Sequence, residues 1–447
     1  MSVRLPSANA RVHEKPGPPT TNPENRVFRR LFMFPLLCAV LLVLGLSGCS
    51  GDDSGSGDAS SSPEPAAETE SSDDGSTDRS DDEDAGGPAQ VEVFSGDLDD
   101  FYVVPDPLPP GEPGDLIRVE DLGEAEGVRT WRVMYHSRDA QDQDRAVTGI
   151  VSHPVAEAPE GGWPVVAWAH GTVGMASPCA PSRSGGAAPG FGIEGVHVAT
   201  DYIGVGPVGE RHPYLSSRSQ AHSVIDSVRA ARALDGVVVD DAWVAVGHSQ
   251  GGHSALWTNE LGESYAPELD LRGTVSIAPA AMLTENYGDH DLIIPRMVGL
   301  MALYGYEVDY PEIDVEDYVG PDILAVDDVV DSGCSDDIIS AFVVVPYDEH
   351  FVNDPIETEP AASVVRVNDP GHHPVDSPLL LVAGELDNYV VPDRVDAVFE
   401  RLCSIDQVTE QILIPGADHG SVVPGAGEQM TSWLQDRLDG IEATSAC

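Results

Sequence analysis

The sequence predicts an α/β protein, a doubly wound and mostly parallel sheet with an inserted helical cap. Three observations predict it. Continuous apolar runs recur along the chain, as they do in parallel strands covered on both faces. Helix-period segments lie between those runs. One interval of about 100 residues, between the runs ending at Ala278 and starting at Leu379, breaks the alternation. A structureless loop of that length is improbable, so the interval is expected to be a helical cap at about 283–376.

The elements follow in order. Thr130 to Tyr135 alternates in polarity, and Ala146 to Val151 follows an acidic turn at 139–144, which predicts an antiparallel hairpin at one edge of the sheet. The apolar runs Val165–Ala169, Val196–Ala199, Trp243–Val246, Thr274–Ala278, Leu379–Val382 and Gln411–Ile414 predict the parallel strands. Between the second and third, Ala221 to Asp235 carries Val224, Ile225, Val228, Ala231 and Leu234 on one helical face, with Gly236 as a stop. Helices also fit 251–261, 392–403 and 425–438. Strand alternating with helix gives the doubly wound class. In the cap, the run Ile293 to Met301 would face an apolar pocket.

The most informative run is Gly247-His248-Ser249-Gln250-Gly251, set between a buried strand and a predicted helix. Strand, G-x-S-x-G, helix is the nucleophile elbow of an α/β-hydrolase. The turn leaves no room for side chains two residues either side of the serine, hence the two glycines. Ser249 would be exposed at the strand end with a helix N-terminus behind it.

A serine hydroxyl needs a base, and the base needs an orienting acid. In this fold the chain order is serine, acid, histidine. Asp387 lies just beyond the run Leu380–Ala383, and His419 just beyond Ile412–Ile414. Both loops would open at the C-terminal edge of the sheet, where Ser249 sits. Glu385 and Asp393 are rival acids. His372 and His373 precede the acid's strand, and His248 and His253 are expected to pack the elbow. For the oxyanion hole, one N–H would come from Gln250 and the second from the loop His170-Gly171-Thr172, with Thr172 the first choice and Asp201 its competitor. His170 is expected to be structural.

The amino-terminal part is not fold. The basic segment Asn25–Arg30 precedes the apolar run Leu31–Leu46 and then Leu46-Ser47-Gly48-Cys49, a lipoprotein cleavage box. The run is shorter than the ~20 residues a bilayer requires, so 1–48 reads as a signal peptide, with an uncleaved anchor as the alternative. Cys49 would carry the lipid and tie the protein to the outer face of the cell membrane. Residues 49–90 are acidic, polar and nearly free of apolar side chains, an expected disordered linker to a catalytic domain at 91–447.

The chain carries 76 acidic against 23 basic residues. In 91–447 there are 61 acids, 16 arginines and no lysine, a net −45. That sign excludes nucleic acid as a partner. It suits a soluble acidic surface and, more sharply, a salty medium that screens self-repulsion. Cys179, Cys334, Cys403 and Cys447 form an even set in an exported chain, which predicts two disulfides with three possible pairings. None has metal-ligand spacing, and no cofactor motif is evident.

Taken together, these residues resemble the secretory lipase family, the α/β-hydrolases of fungi and actinobacteria that include the fungal lipase A type. The resemblance runs over roughly 100–445. It rests on His170-Gly171-Thr172, Cys179-Ala180-Pro181-Ser182, Ala199 to Gly206, His212-Pro213-Tyr214, Gly247 to Gly252, Gly384 to Pro392 and Asp418-His419-Gly420. It implies hydrolysis of carboxylic esters, acylglycerols included, without cofactor, by Ser249, Asp387 and His419. It further implies Asp201 as an oxyanion donor and the bonds Cys179–Cys334 and Cys403–Cys447. The expectation is therefore a lipid-anchored, extracytoplasmic esterase or lipase. A serine peptidase of the same fold and a non-catalytic binding lipoprotein are the alternatives.

Overall fold

A computed structural model describes residues 90–289 and 293–447. The expected signal peptide, the lipidation candidate Cys49 and the acidic linker, all but Gln90, lie outside the described residues. No helix of the described residues is long and apolar enough to cross a membrane.

The strands are β1 (Glu92–Val93), β2 (Leu116–Ala125), β3 (Val128–Arg138), β4 (Asp144–Pro154), β5 (Trp163–Ala169), β6 (Val196–Thr200), β7 (Val239–His248), β8 (Asp270–Ile277), β9 (Leu379–Gly384) and β10 (Thr409–Ile414). They form one sheet in the order β1-β2-β3-β4-β6-β5-β7-β8-β9-β10. From β6 to β10 every pairing is parallel. The chain thus forms a doubly wound, mostly parallel α/β sheet.

The predicted hairpin exists as β3 and β4, but it is not at the edge. Strand β2 pairs antiparallel outside β3, and β1 lies outside β2. Sequence pattern hid β2 because the charged Arg118 sits inside it yet is buried. Its guanidinium meets Glu92 at 2.6 Å and donates to the carbonyls of Asp100, Phe101 and Val103. A buried charge satisfied in this way breaks no rule of the interior.

The helices are α1 (Leu98–Phe101), α2 (Ser217–Ala233), α3 (Gln250–Tyr265), α4 (Leu283–Tyr287), α5 (Ile293–Asp309), α6 (Pro321–Leu324), α7 (Ser335–Phe342), α8 (Ala361–Val367), α9 (Pro392–Ser404) and α10 (Val422–Leu438). Alternation along the parallel strands divides the core. Val165 and Ala167 of β5 and Trp243 and Ala245 of β7 join one cluster, with Val224, Ile225 and Val228 of α2. Val166, Val244 and Val246 point the other way, towards Val395 and Leu402 of α9 and Met430 and Leu434 of α10. Period-2 strands fully buried on both faces must read as unbroken apolar runs.

Helices α4 to α8 all lie between β8 and β9 and carry a third apolar cluster that includes Leu283, Met297, Leu300, Leu303, Ile338, Phe342 and Val365. Tyr214, Leu215 and Met175 of the main body belong to it too, so this insertion rests on the loops that follow β5 and β6. Cys179 and Cys334 are bonded, joining the loop after β5 to the start of α7. Cys403 and Cys447 are bonded, fixing the carboxy terminus to α9.

Candidate active site

Ser249 sits between the last residue of β7 and the first of α3 with φ 59° and ψ −116°. A non-glycine residue in that region is strained and persists only where its surroundings over-determine it. They do here. The Ser249 N–H donates to the Ile277 carbonyl at 2.9 Å, and its carbonyl accepts from Ala280 at 3.1 Å and from His253 at 3.1 Å. The flanking glycines are required by space. A Cβ on Gly247 would lie 1.9 Å from the Gly251 carbonyl oxygen, and one on Gly251 would lie 1.9 Å from that of Ala169.

Asp387 and His419 occupy the loops after β9 and β10. His419 Nδ1 meets Asp387 Oδ2 at 2.7 Å. The other oxygen, Oδ1, accepts the N–H groups of Tyr389 and Val390, each at 2.9 Å. A carboxylate with both oxygens bound keeps one orientation and fixes the tautomer of the imidazole it faces. The His419 ring packs against two others, His248 at 4.6 Å and Tyr389 at 5.1 Å between centroids.

Ser249, His419, His248 and Tyr389 all line one cavity of about 430 Å³. Its floor is the strand-end loops, including His170, Gly171, Thr172 and Val173. Its apolar wall comes from the insertion: Leu283 and Tyr287 of α4, Ile294, Pro295 and Val298 of α5, and Ile339 of α7. The Ser335 N–H donates to the Val173 carbonyl at 2.9 Å, which joins that wall to the floor next to the disulfide.

The rival acids and His372 and His253 stand elsewhere, whereas His170 lines the cavity floor. Glu385 accepts from the Gly416 N–H, and Asp393 is exposed in the first turn of α9. His372 lies beside Arg401, and His253 is buried with Nε2 on the Asn368 carbonyl at 2.8 Å. The His170 ring packs at a tilt against Tyr202, its Nδ1 2.7 Å from the Gly171 carbonyl.

Gln250 is the first residue of α3, so its N–H has no acceptor within the helix. Thr172 lines the cavity, and a Cβ on Gly171 would touch the Ser249 Cβ at 3.5 Å. Asp201 does not join them. Its N–H donates to the Thr148 carbonyl at 2.8 Å, and its buried carboxylate receives Thr148 Oγ1 at 2.6 Å and the Ser182 N–H at 2.9 Å. With those groups engaged in the core, Asp201 has no N–H to give to a reacting oxygen. No sequence signal points to a role for Tyr389, His212 or Tyr214. The His212-Pro213-Tyr214 run was visible, but the partners of its side chains were not. Among the described residues no group of histidine, cysteine and acidic side chains could hold a metal ion.

Comparison with known proteins agrees with the fold. The family model described as Secretory lipase matches residues 193–446, a span that contains Ser249, Asp387 and His419. The secreted triacylglycerol lipase LIP4 of Malassezia globosa is 22% identical over 385 residues, covering 78% of this chain and 82% of the relative. Lipase A of Arthroderma benhamiae is 24% identical over 253 residues, 52% of each chain. Among solved structures, Candida antarctica lipase A in its closed state superposes with a TM-score of 0.64 at 15% identity, covering 78% of this chain and 87% of that one. The rice cell wall degrading esterase LipA from Xanthomonas oryzae gives 0.61 at 17%, covering 74% and 100%. At such identities the structural likeness speaks to fold.

Proposed function

The chain belongs to the secretory lipase family and is a carboxylic ester hydrolase, and we propose that it works through an acyl-enzyme on Ser249. Ser249 Oγ attacks the ester carbonyl while His419 Nε2 takes its proton. The imidazolium that forms is held by Asp387, already bound to Nδ1 at 2.7 Å. The oxygen that gains charge is stabilised by the N–H groups of Gln250 and Thr172. His419 then returns the proton to the departing alcohol, the C–O bond breaks, and water repeats the sequence to release the acid.

The observation that carries this reading is the Asp387–His419 bond, with both His419 and the strained Ser249 on one cavity. The helical insertion acts as a cap whose apolar side chains receive the acyl chain, acylglycerol esters included. Catalysis takes place outside the cytoplasm, with Cys49 lipidated and residues 49–90 as a tether to the membrane. A lipid label on the whole chain that is lost in Cys49→Ala supports the anchor, and an unchanged label rejects it. For the chemistry, the test is hydrolysis of nitrophenyl esters of increasing chain length beside aminoacyl-nitroanilides. Turnover of the esters, abolished in Ser249→Ala, supports the mechanism. Full ester turnover by Ser249→Ala rejects it.

A further inference from the structure

The segment His212-Pro213-Tyr214 touches both residues whose N–H groups face the reacting oxygen in the reading above, and the present inference rests on that reading. The Tyr214 hydroxyl and Thr172 Oγ1 are 2.6 Å apart. Gln250 Nε2 donates to His212 Nε2 at 2.8 Å, and His212 Nδ1 donates to the Ile203 carbonyl at 2.7 Å. This pairing assigns the tautomer, since a neutral imidazole offers one donor and one acceptor. Burial holds His212 uncharged, with its pKa lowered to about 3.

The segment is itself rigid. His212 and Tyr214 are fully buried. The His212 ring stacks on Tyr202 at 5.5 Å and meets Tyr214 edge-on at 5.9 Å. The His212 N–H donates to the Met175 carbonyl at 3.1 Å, so the segment is also tied to the loop that carries Thr172. Tyr202 donates from its hydroxyl to the His170 carbonyl at 3.1 Å, which pins the same loop from its other end.

We propose that His212 and Tyr214 are positioning residues that brace the oxyanion hole, setting the spacing between the Gln250 and Thr172 N–H groups. The two donors stand on different elements, so their spacing needs a link between those elements. Gln250 belongs to α3 and Thr172 to the loop after β5, and the two are 78 positions apart in sequence. A donor is useful only when it is aimed at where charge develops, and small misplacements are costly. The brace acts in the transition state, so its loss lowers kcat and leaves KM unchanged.

The test uses Tyr214→Phe, Thr172→Val, Thr172→Ser and the Tyr214→Phe/Thr172→Val double variant, each purified as the whole chain. Three quantities are read: kcat and KM on a soluble nitrophenyl ester, and the affinity for a trifluoromethyl ketone, which forms a tetrahedral adduct with the serine. The brace predicts that Tyr214→Phe and Thr172→Val each lose about tenfold in kcat and in ketone affinity at constant KM. Thr172→Ser, which keeps the hydroxyl, retains both, and the double variant is no worse than either single one. His212→Gln serves as a second probe, since its amide can still bond Gln250, and it is expected to keep more activity than His212→Leu. Unchanged ketone affinity in Tyr214→Phe and Thr172→Val, or losses that multiply in the double variant, overturns the brace alone. Failure of the wild-type enzyme to form the ketone adduct at Ser249 overturns the brace together with the serine mechanism beneath it.

Discussion

His419 Nδ1 and Asp387 Oδ2 are bonded at 2.7 Å across two different strand-end loops. The carboxylate is buried, and its other oxygen is already taken by two main-chain N–H groups. Its geometry therefore does not depend on substrate. Asp387→Asn is expected to keep the fold and lose about 10⁴-fold in kcat, because the amide favours the wrong tautomer of His419. Nitrophenyl ester kinetics beside a urea melt checks both halves.

Backbone strain at Ser249 gives a separate prediction. At φ 59° a glycine is relaxed where a serine or alanine is not. Ser249→Gly and Ser249→Ala should both be inactive, but the glycine variant should be the more stable of the two by about 1 kcal/mol. Equal urea midpoints would remove the strain argument.

Glycine neighbours behave oppositely according to space. Gly251→Ala drives a methyl into the Ala169 carbonyl and should yield little soluble enzyme. Gly427, inside α10 with nothing within 4 Å of a new Cβ, should accept alanine with a gain of up to about 1 kcal/mol. Soluble yield and urea midpoints report the difference.

Acid should weaken the fold before it reaches the carboxylates. Burial lowers the pKa of His212 to about 3 and of His222, His248 and His253 to about 4. A histidine depressed in this way stabilises the folded state above its unfolded pKa near 6.5, and that contribution is lost as pH falls through the folded value. Asp226, raised to about 6 by burial, has the opposite sign and loses its contribution as pH rises through 6. Glu260, Asp309 and Asp369 are raised by burial as Asp226 is, and His170, His197, His350 and His372 are lowered by it. Eight imidazoles thus stand against four carboxyls, so the urea midpoint should fall from pH 7 to pH 5. Conversion of His222, stacked on Tyr265 at 3.8 Å, to Phe should flatten the slope.

Charge sets the response to salt. With 61 acids against 16 arginines in 91–447, unscreened repulsion opposes the compact state. Thermal melting temperature should rise from low to molar NaCl. A flat or falling curve would reject adaptation to a salty medium.

What sequence made legible follows from physics that is local. The six parallel strands were readable because both faces are buried, and Ser249 because its bend admits only glycine nearby. Strand β2 was not, since Arg118 is buried against carbonyls contributed by residues 15 to 18 positions earlier. The partners of Asp201, the competing oxyanion candidate, were hidden for the same reason. The family resemblance implies it as a donor, but Thr148, 53 positions earlier, takes its N–H and meets its carboxylate. Likewise no spacing rule connects Tyr214 with Thr172 or Gln250 with His212.

Fluorophosphonate labelling followed by peptide mass spectrometry tests the central claim most directly. The account predicts one modified residue, Ser249, with labelling slowed by orders of magnitude in His419→Ala although that variant stays folded. Ester-hydrolysing enzyme labelled at another residue, or labelled at the same rate without His419, would contradict it.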